Sequence, residues 1–171
     1  MNETIKTLVE RASPRSFRPE HIEKEKLDQI ILAGLKAPSG RNAQTPIFIA
    51  VTNDDMVKKL SKLNADVMGT DADPFYGAPD VVAVLVRKEF CWSYDGSIAL
   101  GNMLNAAWSL GVGSRWIHRA KEIFADEEGK KILADLGITD DVEGVGFCVL
   151  GYTDENPQPK EITGKRVYYI E

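Results

Sequence analysis

The stretch Arg11-Ala12-Ser13-Pro14-Arg15 decides how the rest of the chain is read. Two permanently charged guanidiniums stand four residues apart with a hydroxyl between them. An amphipathic helix is predicted just upstream, from Thr4 to Arg11, with Ile5, Leu8, Val9 and Ala12 on one face. Pro14 forbids that helix from continuing and pushes Ser13 toward an extended conformation. Two planar forks on a bend converge on an anion, and phosphate is the best geometric match. Taken alone, the pattern also suits solvated arginines at a helix end.

Working outward, a second amphipathic helix is predicted from Glu23 to Lys36, with Leu27, Ile30, Ile31, Gly34 and Leu35 at helical spacing. Ala37-Pro38 ends it. The loop Ala37-Pro38-Ser39-Gly40-Arg41-Asn42-Ala43-Gln44 follows, with a hydroxyl flanked by Pro and Gly and an amide beyond. Such a loop brings backbone N–H groups close to a ligand. Together the two stretches resemble the start of the nitroreductase family of FMN-dependent flavoproteins. That family opens with a helix, an Arg-x-Ser-x-Arg signature, a second helix and a Pro-Ser-x-x-Asn-x-Gln loop. Later segments match as well, so the resemblance spans nearly the whole chain.

Further elements follow in order. Ile47–Val51 reads as a strand buried on both faces, and Asn53 or Asp54 caps a helix carrying Val57, Leu60, Leu63, Val67 and Met68. A Gly-, Asp- and Pro-rich loop over 69–79 holds Phe75 and Tyr76 as its large rings. Its aspartates Asp71 and Asp73 are read as turn residues, not metal ligands. Val81–Val86 is a second buried strand. A helix from Asp95 to Leu110 is rich in Gly and Ala, which lets other backbones approach closely.

Gly111-Val112-Gly113-Ser114 follows a helix instead of a strand and lacks the third glycine, so a dinucleotide fingerprint is rejected. It reads as a turn feeding a short strand through Trp116, Ile117 and His118. Helical stretches at 120–124 and 127–136 precede a buried strand over 144–152, and Gly137 ends the second of them. The tail 153–164 is polar, yet it ends in Val167-Tyr168-Tyr169-Ile170, a strand-like run that needs a sheet edge.

The bulk numbers fit this picture. The chain has 171 residues, enough for one domain over 1–171 with a real core, and 43% hydrophobic content. No basic n-region leads into an apolar h-region, so a cytoplasmic location is expected. A net charge of −5 with no long basic run argues against nucleic acid, and no apolar run is long enough for a membrane span. Cys91 and Cys148 lie in apolar surroundings and read as buried free thiols. With His21 and His118 as its two histidines, the chain lacks a His-based metal site.

The resemblance implies an α+β fold: a mostly antiparallel central sheet flanked by helices, with residues 153–171 as an arm whose strand is exchanged in a homodimer. FMN would lie between subunits, with Arg11, Ser13 and Arg15 on its phosphate and Arg15 also near the pyrimidine edge. Pro38, Ser39, Gly40 and Asn42 of the other subunit would pack along the ring system. His118 and Arg119 match the turn whose backbone N–H meets flavin N5, and Lys160 matches a basic residue near the phosphate. Asn64 is a candidate flavin contact, with a solvated helix amide as the alternative. Phe75 and Tyr76 are candidate substrate rings, with packing roles as the alternative. Two departures stand out: Ala12 replaces a frequent basic residue, and Ile162 replaces an arginine.

The implied activity is electron transfer from NADH or NADPH, through FMN, to nitroaromatic, quinone or similar electron-poor acceptors by a ping-pong scheme. No nucleophile, carboxylate dyad or metal cluster is required, because the cofactor carries the chemistry. A flavin-binding redox sensor or reservoir that does not turn over is the alternative from another class.

Overall fold

A computed structural model describes residues 1–89 and 91–171. Among them lie α1 (Glu3–Glu10), α2 (Lys24–Leu35), β1 (Pro46–Val51), α3 (Asp54–Met68), β2 (Asp80–Arg87), α4 (Trp92–Ser109), β3 (Gly113–Ile117), α5 (Ala120–Ala125), α6 (Glu127–Asp135) and β4 (Val142–Gly151). The strands form one sheet in the order β1-β2-β4-β3, every neighbour antiparallel. Helices cover both faces, giving the expected α+β architecture.

The central strands explain the apolar runs in the sequence. Successive side chains of a strand point to opposite faces. Val81, Ala83 and Leu85 of β2 pack with Leu60 of α3, Ile123 and Phe124 of α5 and Leu133 of α6. Val82 and Val84 pack with Leu27 and Ile30 of α2 and with Leu100 and Met103 of α4. A strand covered on both sides loses the polar alternation of a half-exposed one. The edge strand β1 departs from the expectation of burial on both faces: Ala50 is exposed.

Register shifts between Val84 and Leu85, which pair with Gly146 and Gly144, leaving Val145 as an extra residue on β4. Such a bulge re-aims the local side chain. Val145 is directed at α4, where a Cβ on Gly96 would meet its Cγ2 at 2.5 Å. Glycine at 96 is therefore a condition of seating α4 on the sheet. The small residues read from the sequence do mark a central helix, since Gly96, Ala99, Leu100, Met103 and Ala107 are all buried.

Local signals set most boundaries. Asn53 is the N-cap of α3 and accepts from Met56 N–H at 2.9 Å. Gly69 ends the helix in the left-handed conformation at φ 70°. The start of α4 lies earlier than expected, at Trp92, with Cys91 at its N-cap in the left-handed region (φ 63°). Cys91 is accordingly half-buried instead of buried, whereas Cys148 is fully buried as expected. Burial pushes the Cys148 thiol up to about 12, against the opposing pull of the Arg11 charge.

Exposed apolar residues concentrate in two regions at the ends of the chain, among others. The α1 face is one, with Ile5, Leu8 and Val9 at 44%, 49% and 52% exposure. The other is the end of the arm, where Val167–Ile170 forms no strand within the chain and Ile170 is wholly exposed. No helix among the described residues is long and apolar enough to cross a membrane.

Candidate functional site: a cationic turn and a strained loop

The signature turn is built as the end of α1. Arg11 closes the helix with its N–H on Thr7 O at 3.1 Å, and Pro14 prevents a further turn. Ala12 and Pro14 are buried and anchor the segment, while Arg11 and Ser13 are half-buried and Arg15 is exposed. Arg11 Nη1 donates to Ser13 Oγ at 3.0 Å, so the first guanidinium and the hydroxyl share one small surface. Ala12, at 7% exposure, is a packing contact at the position where the resemblance leads one to expect a basic residue.

The start of the arm is laced to this turn. Arg15 N–H donates to Glu155 Oε2 at 2.7 Å, Thr153 Oγ1 donates to Ser16 O at 2.7 Å, and Arg18 Nε donates to Asp154 at 2.8 Å. Arg18 N–H also donates to Tyr152 O at 2.8 Å. Residues 152–155 thus run beside residues 15–18. Lys160 lies further along the arm, exposed and outside any helix or strand.

The second cluster is the loop 38–44, which leads directly into β1. Ser39 Oγ accepts from Gln44 N–H at 2.9 Å, and Asn42 N–H donates to Ser39 O at 3.0 Å. Arg41, Asn42 and Gln44 all have positive φ, at 55°, 56° and 51°. Non-glycine residues adopt such angles at a cost and hold them where the surroundings over-determine them. The main restraint is Asp95, 3% exposed in the first turn of α4. Its Oδ1 accepts from Gly40 N–H at 2.9 Å and its Oδ2 from Thr45 Oγ1 at 3.0 Å. Pro38 and Asn42 are exposed, with Ser39 and Gly40 half-buried.

A third element is the turn His118–Arg119 after β3. His118 is exposed, and Arg119 has φ 75°. Asn64 is neither a solvated amide nor an open contact, because it is fully buried on α3. Its Nδ2 donates to His118 O at 2.7 Å, and its Oδ1 accepts from Arg119 Nε at 2.9 Å. Both ends of the amide are spent on holding that turn in its left-handed bend.

The two rings of the 69–79 loop are placed differently. Phe75 takes the packing role: it is 1% exposed and lies on Phe147, ring centroids 5.3 Å apart. Tyr76 is half-buried, and its ring lies under the Arg115 guanidinium at 4.8 Å. Asp73 stabilises the loop by accepting from Ser61 Oγ, from Phe75 N–H at 2.8 Å and from Gly77 N–H at 2.6 Å, a turn role as read. A cleft of about 690 Å³ opens between this loop and α3, lined by Val57, Lys58, Ser61 and Phe75 among others, and no signature residue lines it.

Sequence reasoning missed Asp95 as more than a helix start, and it missed Arg115 altogether. An acidic residue at the head of a helix looks like a dipole partner. Its bonds to Gly40 and Thr45 span 55 and 50 residues, which no local pattern encodes.

The two clusters lie at opposite edges of the sheet. The loop 38–44 enters β1 at Pro46, and the signature turn is bonded to Arg115 on β3. β1 and β3 are separated by β2 and β4. Three strand spacings place them roughly 14 Å apart across the sheet. Along the sheet, Pro46 pairs through Val86 with Glu143, whereas Arg115 pairs with Val149. That offset adds about 20 Å at the usual rise per residue.

Comparison with known proteins identifies the family and the fold. The nitroreductase family matches residues 8–92. A relative from Archaeoglobus fulgidus named as an NADH dehydrogenase/NAD(P)H nitroreductase is 32% identical over 156 residues, covering 89% of this chain and 86% of its own. An FMN reductase [NAD(P)H] from Bacillus subtilis is 33% identical over 132 residues, 67% of this chain and 53% of the relative. Among solved structures, a nitroreductase with bound FMN from Bacteroides fragilis superposes with a TM-score of 0.87 at 29% identity, covering 100% of both chains. One from Desulfitobacterium hafniense, also with bound FMN, gives 0.89 at 26% identity with the same coverage. The chain belongs to the nitroreductase family.

Proposed function

We propose that the protein is an FMN-dependent NAD(P)H oxidoreductase that works as a homodimer in the cytoplasm. The observation that carries this reading is the separation of the cationic turn and the strained loop to opposite sheet edges. One copy cannot close both on a single cofactor, and a two-fold partner brings the loop of one chain to the turn of the other. The exposed faces of α1 and of the arm supply apolar surface for such a partner.

The donor set fits FMN. Arg11, Ser13 and Arg15 offer two guanidiniums and a hydroxyl on one turn, the chemistry that a phosphate dianion takes. Lys160 adds a cation if the arm folds over that turn. Pro38, Ser39, Gly40 and Asn42 of the partner would lie along the ring, with Asp95 keeping their loop rigid. His118 and Arg119, locked by Asn64, would direct a backbone N–H at the cofactor. When bound, FMN supplies the hydride acceptor and the electron store. The protein's tasks are binding, orientation and charge.

Acceptor breadth follows from how little covers the site. Only Leu110–Val112 separate α4 from β3, so no helical lid is inserted there. Flat, electron-poor acceptors such as nitroaromatics and quinones would take the place vacated by oxidised nicotinamide, in ping-pong order and with loose selectivity. Anaerobic mixing of the yellow protein with NADH or NADPH tests the activity. Rapid bleaching, with colour restored by a nitroaromatic or quinone, is the expected result. A bound flavin that neither donor bleaches would make the protein a flavin carrier or sensor instead.

A further inference from the structure

The phosphate turn rests on a cation that no motif contains. Arg115, on the edge strand β3, sends one nitrogen, Nη1, to two successive carbonyl oxygens, Ser13 O and Pro14 O, each at 3.2 Å. Its guanidinium simultaneously lies over the Tyr76 ring at 4.8 Å. Tyr76 itself is held in the left-handed region (φ 58°) and accepts from Phe17 N–H at 3.3 Å, on the far side of the same turn. A planar fork that bonds and stacks at once is a role that lysine cannot reproduce.

We infer that Arg115 is a positioning residue for the cofactor phosphate. It fixes the two peptide groups between Arg11 and Arg15, and so the convergence of both guanidiniums, while its own charge lies behind the turn. With both carbonyl oxygens neutralised by Arg115, the turn presents its positive side chains, instead of its backbone oxygens, to an anion. Tyr76 prevents the guanidinium from swinging into solvent. Arg115 therefore acts through the turn and selects for the phosphorylated flavin. This inference rests on the reading of Arg11, Ser13 and Arg15 as phosphate ligands, and its test separates the two.

The test titrates the full-length apoprotein with FMN and, separately, with riboflavin. Arg115→Met is expected to weaken FMN on the order of tenfold or more, as loss of charge-assisted hydrogen bonds does, and to move riboflavin less than twofold. Added methylguanidinium should restore part of the FMN affinity. An unchanged ratio of FMN to riboflavin affinity, or an equal loss for both flavins, overturns the inference. If Arg115→Met does not fold, Arg115→Lys keeps the charge and gives up the fork and the stacking. It should lose severalfold in the same ratio, and a wild-type ratio overturns the inference equally. Arg87→Ala, which removes a surface cation paired with Asp140, is the charge control and should leave the ratio alone. Should Arg11→Ala also spare the ratio, the phosphate reading itself fails. Should Arg11→Ala collapse the ratio while Arg115→Met does not, only the role of Arg115 fails.

Discussion

The two sides of this molecule are finished to different degrees. Around β2 and β4 every large side chain has company: Phe147 touches Phe75 and Phe124, and Leu85, Leu100 and Met103 are fully buried. Around α1 and the end of the arm the apolar residues are as regular in sequence but stay half to fully exposed. A single chain satisfies the first region by itself. The second leaves its apolar side chains exposed in one chain, and they are the surface that the proposed homodimer would cover. The strained loop 38–44, at the β1 edge, is held from within the chain, by Asp95 on Gly40 N–H and Thr45 Oγ1.

The largest effect expected from breaking this contrast is on the arm. Deleting residues 154–171 should give monomers that lose flavin while far-ultraviolet circular dichroism stays near that of the full chain. A truncated protein that stays dimeric and yellow would sink the arm-exchange idea.

The contrast also predicts opposite behaviour for substitutions at two apolar positions. Phe147→Ala empties a ring from the packed side and should cost about 3–5 kcal/mol in urea unfolding. Leu8→Asp should leave the unfolding of the monomer nearly unchanged and instead shift the dimer toward monomers in sedimentation. A Leu8→Asp protein as unstable as Phe147→Ala would show that α1 is packed within its own chain.

Arg11→Ala sharpens the comparison at the site. Loss of a charge-assisted bond, on the order of 1.5–3 kcal/mol, corresponds to about ten- to a hundredfold in FMN affinity. Riboflavin, lacking the phosphate, should bind almost as before.

The smallest effect is a pH dependence at His21, which ties the segment before α2 to the start of β2. His21 Nδ1 lies 2.8 Å from buried Asp80 and Nε2 lies 3.2 Å from Asp54. The hydrogen bond to Asp80 raises the His21 pKa above its usual 6.5, with burial opposing and both carboxylates adding to the rise. A raised folded pKa means that this contribution is full below 6.5 and fades as pH climbs through the folded value. His21→Gln should flatten the decline in stability as pH rises above 6.5. A variant with the same slope as the parent would remove His21 from the account.

Much of this was legible in the sequence because the signals were local. The continuous run Val81–Val86 announces a strand covered on both faces, and the Gly- and Ala-rich 95–110 segment announces a helix that others approach. Asn53 and Gly69 mark the ends of α3 through caps that need only a few neighbouring residues. What stayed hidden depends on partners far along the chain. Asn64 has the look of any helix amide until His118 and Arg119 are folded onto it. Phe75 sits in a polar loop, and only the fold reveals that Phe147 lies beneath it. The same holds for Arg115, whose two acceptors are 102 and 101 residues away.

The central claim, that one cofactor is shared between two copies, is tested most directly by sedimentation of the purified protein followed at both the protein and the flavin absorbance. The account predicts a single boundary at twice the mass of one chain, carrying all of the bound flavin, and a colourless boundary wherever dilution produces monomers. Flavin that remains bound to a species of one chain's mass would contradict it.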